Sequence, residues 1–169
     1  MAGKPNAGKS PFAQLLMFSH CTGEVVAGIT PIRKGWGLYQ DAETGLLAHH
    51  RWRRICRAYG KDPAEITTVD FRDVEVMFSE SYVQALEQYC IDRGPDGLVV
   101  IDTYGAMLAA DIDNNSPQFA HWLRQLGVLS RRQEVVILVL IHGNKSSKDG
   151  ELEGIAGNIQ GAGAMQGVV

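Results

Sequence analysis

Residues 3–10 read Gly3-Lys4-Pro5-Asn6-Ala7-Gly8-Lys9-Ser10, the spacing G-x-x-x-x-G-K-S. That spacing can hold a phosphate chain. Its glycines let successive backbone N–H groups turn inward around phosphate oxygens, and a following helix adds the partial positive charge of its N-terminus. In such a loop Gly3, Asn6, Ala7, Gly8, Lys9 and Ser10 contact the nucleotide. Lys9 reaches the β- and γ-phosphates of ATP, and Ser10 ligates Mg²⁺.

A second group of residues could complete the chemistry. In "GLVVIDTYG" Asp102 closes an apolar run, a position from which a carboxylate holds Mg²⁺ through its water shell. Hydrolysis also needs a group that orients the attacking water. The position after Asp102 is Thr103, so that carboxylate has to come from elsewhere. "LYQDAETG" offers Asp41 and Glu43 where a strand runs out. Loops at the carboxyl ends of parallel strands face the ligand crevice, so either acid could face the γ-phosphate. Glu43 is the choice, and Asp70 is a weaker candidate at the end of its own strand. His142 ends a further apolar run, where it can hydrogen-bond the γ-phosphate or the attacking water. Plainer readings stand beside these: a loop-capping Asp, a solvent-facing acid, an exposed strand-end His.

Alternating strands and helices must position these groups. Residues 10–20 read as a helix that tolerates Pro11 in its first turn. Residues 35–40 read as a short strand. Trp52, Ile55, Cys56 and Tyr59 fall at i, i+3, i+4, i+7, and Gly60 and Pro63 stop that helix. Residues 67–71 read as a strand. Tyr82, Val83, Leu86, Tyr89 and Cys90 mark a helix, and Gly94-Pro95-Asp96-Gly97 a turn. Residues 98–101 have the texture of a strand buried on both faces. Phe119, Trp122, Leu123 and Leu126 mark another helix, and residues 135–141 are the strongest strand signal. This alternation predicts an α/β fold, a mainly parallel sheet between helical layers.

Composition sets outer bounds. The chain has 169 residues, 45% hydrophobic and 21% charged, with a formal net charge of −3. One domain over residues 1–169 is expected, with no overall pull toward polyanions. Cys21, Cys56 and Cys90 form no C-x-x-C pair, so neither a disulfide framework nor a zinc site is indicated, and a reducing cytoplasm is the simplest setting. No apolar run reaches the ~20 residues of a membrane span. Only Met1 and Ala2 precede the loop, where a strand of ~5 residues is usual, and the chain stops within an apolar stretch. Both ends are therefore expected to be cut, with the first strand and the C-terminal strands missing.

"GKPNAGKS", "LYQDAETG", "LVVIDTYGAML", "LVLIHGNKSS" and "GAGAMQGVV" follow one another in an order that resembles RecA-like P-loop ATPases of the AAA type. The chain looks most like the plasmid RepA branch of hexameric replicative helicases, and the likeness covers nearly the whole chain. "GKPNAGKS" is similar to the Walker A loop and "IDTYGAML" to the Walker B strand. The resemblance implies Lys9 and Ser10 on nucleotide and Mg²⁺, Glu43 as catalytic carboxylate, Asp102 on Mg²⁺ and His142 as γ-phosphate sensor. It implies a hexameric ring in DNA replication, ATP between subunits, and single-stranded DNA in the channel. A polar, Gly-rich loop over residues 143–163 would lie near the DNA, with Lys145 and Lys148 available to phosphates. Gly143 replaces the family's usual second His, and the expected arginine finger falls beyond Val169.

Other basic residues are read as solvated. Arg124, Arg131 and Arg132 suit a helix face. His49-His50-Arg51-Trp52-Arg53-Arg54 is read first as a solvent-facing helix side, with contact to DNA or a neighbour as the alternative and Trp52 in the core. Two rival functions remain: a small-molecule kinase on a phosphate-loop fold, and a nucleotide-binding or assembly module without turnover.

Overall fold

A computed structural model describes residues 2–3, 7–74, 77–109, 112 and 116–142. In chain order the elements are β1 (Ala2–Gly3), α1 (Lys9–Thr22), β2 (Trp36–Asp41), α2 (Leu46–Ala58), β3 (Val69–Asp73), α3 (Glu80–Arg93), β4 (Gly97–Asp102), α4 (Pro117–Gln133), β5 (Val136–Val139) and β6 (Ile141–His142). Four strands form an all-parallel sheet in the order β3-β2-β4-β5. β1 pairs in parallel with β6, which continues the chain of β5 one residue on. The strand leading into the phosphate loop is thus separated from the strand bearing Asp102 by the β5–β6 run.

The sheet is the middle of three layers. β2 and β4 are buried along their whole length, β4 as its apolar run 98–101 requires, β2 with the polar Gln40 and Asp41 buried at its end. Successive side chains leave a strand on opposite faces. Leu38, Val99 and Ile101 therefore join Tyr82, Leu86, Phe119 and Leu123 of α3 and α4. Tyr39, Leu98 and Val100 join Ala13, Met17 and Phe18 of α1 and Ala48, Trp52 and Cys56 of α2. Gln14 ties the helices of the second layer together, its Nε2 donating to Ala48 O at 3.1 Å.

Local signals set the helix ends. Ser79 and Ser116 cap α3 and α4 by accepting from the N–H groups of Tyr82 and Phe119. Gly23 ends α1 in the left-handed region at φ 83° and donates to Ser19 O.

Three expectations shift. The strand read over residues 67–71 runs Val69–Asp73, because Thr67 and Thr68 form a turn whose Thr68 carbonyl accepts from Gly37 and Arg93. The run 135–141 is divided at Leu140, whose N–H donates to Ile101 O and whose carbonyl accepts from Tyr104. Where no first strand was expected, Ala2–Gly3 lie in register with Ile141–His142. Among the described residues no helix is long and apolar enough to cross a membrane.

Candidate active site

The phosphate-loop residues sit at the N-terminus of α1. Gly8 takes a left-handed conformation, φ 76° and ψ 15°, immediately before the first helical residue. A Cβ there would meet nothing within 4 Å, so the demand for glycine is one of backbone conformation. Phe12 N–H donates to Gly8 O at 3.1 Å, closing the first turn. The N–H groups of that turn have no earlier carbonyl inside the helix, and the helix dipole makes the same point attractive to an anion. Ala7 and Gly8 are exposed, Ser10 is half-buried, and the Lys9 side chain is buried. Asn6 lies outside the described residues.

The neighbouring strands bring two carboxylates to Lys9. Asp102 ends β4 and is 1% exposed. The Tyr39 hydroxyl, reaching across from β2, donates to its Oδ2. Burial first, then the Asp102 charge, pushes the Tyr39 hydroxyl far above its ordinary range, so it stays protonated and remains a donor. Burial also holds the Lys9 ammonium below its ordinary 10.5, while Asp102 and then Glu43 pull it back upward. Both acids are thus close enough to act electrostatically on Lys9.

The geometry separates the two acids of "DAE". Asp41 is buried and aligned with Asp102 across β2 and β4. Its Oδ1 accepts from the N–H groups of Glu43 at 3.0 Å and Thr44 at 2.9 Å, and its Oδ2 from the Thr44 hydroxyl at 2.6 Å. Arg51 of α2 donates to the same hydroxyl at 2.8 Å. Asp41 therefore shapes its own loop, in the manner of an Asx turn. Glu43 is carried forward by that turn, and its Oε2 accepts from the Thr103 hydroxyl at 3.2 Å. The position that lacks a Glu after Asp102 instead supplies a hydroxyl that holds a Glu from the loop after the adjacent strand.

The other candidates fall in different places. His142 lies opposite Gly3 in the β1–β6 pairing, beside the chain that enters the loop. Asp70 is corrected: it pairs with Leu38, three positions before the Asp41–Asp73 end of the strands. Its carboxylate accepts from the Tyr89 hydroxyl and lies 3.7 Å from Arg93 Nη1. Lys145, Lys148 and the loop over residues 143–163 lie outside the described residues. Arg124, Arg131 and Arg132 are exposed on α4, and Arg132 pairs with Glu87 at 2.8 Å. Cys21, Cys56 and Cys90 are free and buried.

Tyr39 and Thr103 are what sequence reasoning missed. The signal for Thr103 was present, a hydroxyl directly after the strand-end Asp. Nothing in the sequence separates Tyr39 from an ordinary apolar strand residue.

The donor set suits Mg²⁺ bound together with a triphosphate. Among the described residues no three His, Cys, Asp or Glu gather as a metal cluster. A protein-only cage is not what Mg²⁺ needs in a nucleotide site: it takes one or two carboxylates and fills its octahedron with phosphate oxygens and water. Asp102, buried and with one oxygen engaged by Tyr39, fits that limited role.

No curated protein matches the chain. Residues 1–148 match the sequence profile of AAA_25, an AAA domain. That match spans α1 and its loop, the carboxyl ends of β2 and β4, and β6, so the chain belongs to the AAA_25 family of AAA domains, a P-loop family of ATPase-type nucleotide-binding domains.

Proposed function

We propose that this chain is the ATP-hydrolysing motor domain of a DNA helicase or a related DNA-dependent ATPase, of the RepA type, working in a hexameric ring on single-stranded DNA. The observation that carries the proposal is Glu43. A bond from Thr103 holds its carboxylate near Asp102 and within electrostatic reach of Lys9. A hydrolase needs such a group to orient water; a kinase, whose nucleophile is a bound acceptor hydroxyl, does not.

The residues divide the work as follows. The N–H groups at the start of α1 take the phosphates, and Lys9 reaches the β- and γ-oxygens. Burial makes the Lys9 charge more effective there than it would be in water. Ser10 and Asp102 would hold Mg²⁺, which neutralises charge developing on the phosphate oxygens. Glu43 accepts a hydrogen bond from the attacking water and aligns it for in-line displacement. His142 senses the γ-phosphate. Lys145 and Lys148 meet DNA phosphates.

The test is phosphate release with and without single-stranded DNA. Expected is DNA-stimulated release that Glu43→Gln lowers by about 10²–10⁴-fold while ATP binding persists. Phosphoryl transfer to a metabolite without DNA would install the kinase reading. Nucleotide binding with no turnover under any condition would leave an assembly module.

A further inference from the structure

The basic run in α2 divides between two faces of the helix. Ala48, Trp52 and Cys56 point into the core, where Trp52 packs edge-on against Phe18 at 6.1 Å. Arg51 is engaged by Thr44 and by Leu47 O. His49 lies 3.8 Å from Asp73. The outward face is left with His50, Arg53, Arg54 and Arg57, at i, i+3, i+4 and i+7, all exposed. None of these four makes an ion pair or a hydrogen bond with another described residue.

Four arginines elsewhere in the chain have partners, while Arg124 on α4 is exposed with none among the described residues. Arg33 pairs with Asp96, Arg93 with Asp70 and Arg132 with Glu87, and Arg72 lies over the Tyr89 ring. The whole chain carries 19 acidic against 16 basic residues, so acids for pairing are not scarce. Like charges three and four apart on a helix repel one another. Arg57 is favoured in the last turn by the helix dipole. Arg53 and Arg54 have no such compensation. Asp62 lines a hollow with Arg53 and Arg57, but its Oδ1 accepts from Ala64 N–H at 3.0 Å and it forms no ion pair with either.

We propose that this outward stripe of α2 is a nucleic-acid surface that takes the phosphate backbone of a single strand. It rests on the reading of the chain as a DNA-dependent ATPase and names a second place where the DNA is held. The stripe rises about 10 Å along the helix, enough for more than one phosphate. Three of its four residues are arginines, whose planar forks match phosphate oxygens in pairs. A membrane is disfavoured because an interfacial helix needs a free apolar face, and that of α2 is used in the core. An acidic protein is disfavoured because protein interfaces centre on apolar and aromatic anchors. Here the exposed large apolar groups stand at the two ends of α2, Leu46 and Leu47 at its start and Tyr59 just past its last residue, and none lies between the stripe's four residues.

The experiment is fluorescence anisotropy of labelled oligo-dT titrated with the full chain across about 50–200 mM salt. The variants are R53Q/R54Q/R57Q and R53K/R54K/R57K, and ATP affinity is measured in each as a check that the site is intact. Expected is at least a ten-fold loss of DNA affinity for the Gln variant, with its salt slope shallower by about 2, near 0.7 for each single-strand phosphate that is no longer neutralised. The Lys variant keeps the slope, and ATP affinity stays at the wild-type value throughout. Should the triple Gln variant lose ATP affinity through misfolding, R54Q alone should flatten the slope by about 0.7. A wild-type chain that binds no DNA at any salt overturns both this inference and the DNA-dependent reading. Wild-type binding left unchanged by the Gln substitutions overturns the surface alone. Equal competition by polyglutamate of matched charge assigns the stripe to an acidic protein and overturns it as well.

Discussion

The two ends of the same parallel sheet are built to opposite specifications. At the amino end backbone and rings are pressed together. A Cβ on Gly35 would lie 1.7 Å from Asp96 O, one on Gly37 2.0 Å from Met17 Sδ, and one on Gly97 2.2 Å from the Trp36 ring. Trp36 Nε1 donates to Gly94 O at 2.9 Å, and the His20 ring nitrogen shares a 2.9 Å bond with Asp96 O. At the carboxyl end the buried groups are ionisable: Lys9, Asp41 and Asp102, with Glu43 beside them. Gly8 and Gly35 make the contrast within one residue type. The first is glycine because of its φ of 76°, with open space where a side chain would be; the second is glycine because no atom fits. Buried charge is costly unless it is matched. The amino end thus gains stability from shape, and the carboxyl end keeps charges that the proposed function gives to a ligand. Substitutions at the two ends should therefore separate stability from binding.

The largest effect is expected at Lys9. Lys9→Met removes the cation that the proposed function assigns to the phosphates, where each charge-assisted bond contributes about 1.5–3 kcal/mol. ATP affinity should fall about 100-fold or more, read by titration with a fluorescent ATP analogue. Thermal stability without nucleotide should not fall, because a desolvated ammonium is exchanged for an apolar chain of similar length. The pH dependence has a definite sign. Lys9 binds fewer protons folded than unfolded between its lowered value and 10.5, so in that window it makes stability rise with pH. Lys9→Met should remove that slope. A variant that loses stability yet still binds ATP would show that this end too is built for shape.

The converse substitution is Gly35→Ala at the amino end. The added methyl meets a backbone carbonyl, which cannot rotate away as a flexible side chain can. The expected cost is about 1–3 kcal/mol, as for overpacked cores, with a fall of several degrees in Tm. ATP affinity per folded molecule should stay the same. Differential scanning calorimetry beside nucleotide titration reads both quantities. A stable Gly35→Ala with weakened ATP binding would abolish the contrast between the ends.

The two ends also differ in how far the sequence discloses them. Strands β2 and β4 and the four helices are legible because their apolar spacing is a local property, and the Gly8-Lys9-Ser10 loop because its glycine and lysine stand at fixed distances. The edge strand β3 is displaced by two residues from its expected place, since Asp70, Arg72 and Asp73 interrupt its apolar pattern and pairing with β2 sets its limits. At the site, Asp41 and Glu43 look interchangeable in sequence. Only the three bonds from the Asp41 carboxylate to its own loop, and the bond from Thr103 to Glu43, tell them apart. Tyr39 acquires its contact with Asp102 from strand pairing across 63 positions, which no local pattern records.

Tyr39→Phe tests whether that contact serves the charge or only the packing. The ring should remain stacked on Phe71, at a centroid distance of 5.2 Å, so the shape of the core is kept. The buried Asp102 oxygen loses its donor, at a cost of about 1 kcal/mol in stability. Groups that orient a metal's carboxylate are typically worth ten-fold or more in metal affinity. The Mg²⁺ concentration that half-saturates nucleotide binding should rise about ten-fold. An unchanged Mg²⁺ requirement would make Tyr39 a packing residue, as at the amino end.

An effect of about the same size, confined to turnover, is expected at Thr103, and it is the most specific to the arrangement of the two carboxylates. Thr103→Val keeps shape and burial but removes the hydroxyl that holds Glu43 at 3.2 Å. A bond to a charged group at this length should be worth about 1–2 kcal/mol, near the lower end of its class. The catalytic rate should drop about ten-fold with KM for ATP unchanged, because Glu43 still reaches the site but is less well aimed. Thr103→Ser restores the donor and should restore most of the rate. The double variant with Glu43→Gln should be no slower than Glu43→Gln alone, since Thr103 acts through Glu43 and has nothing left to position. If Thr103→Val slows turnover equally in both backgrounds, Thr103 acts on its own and the bond to Glu43 has no part in catalysis.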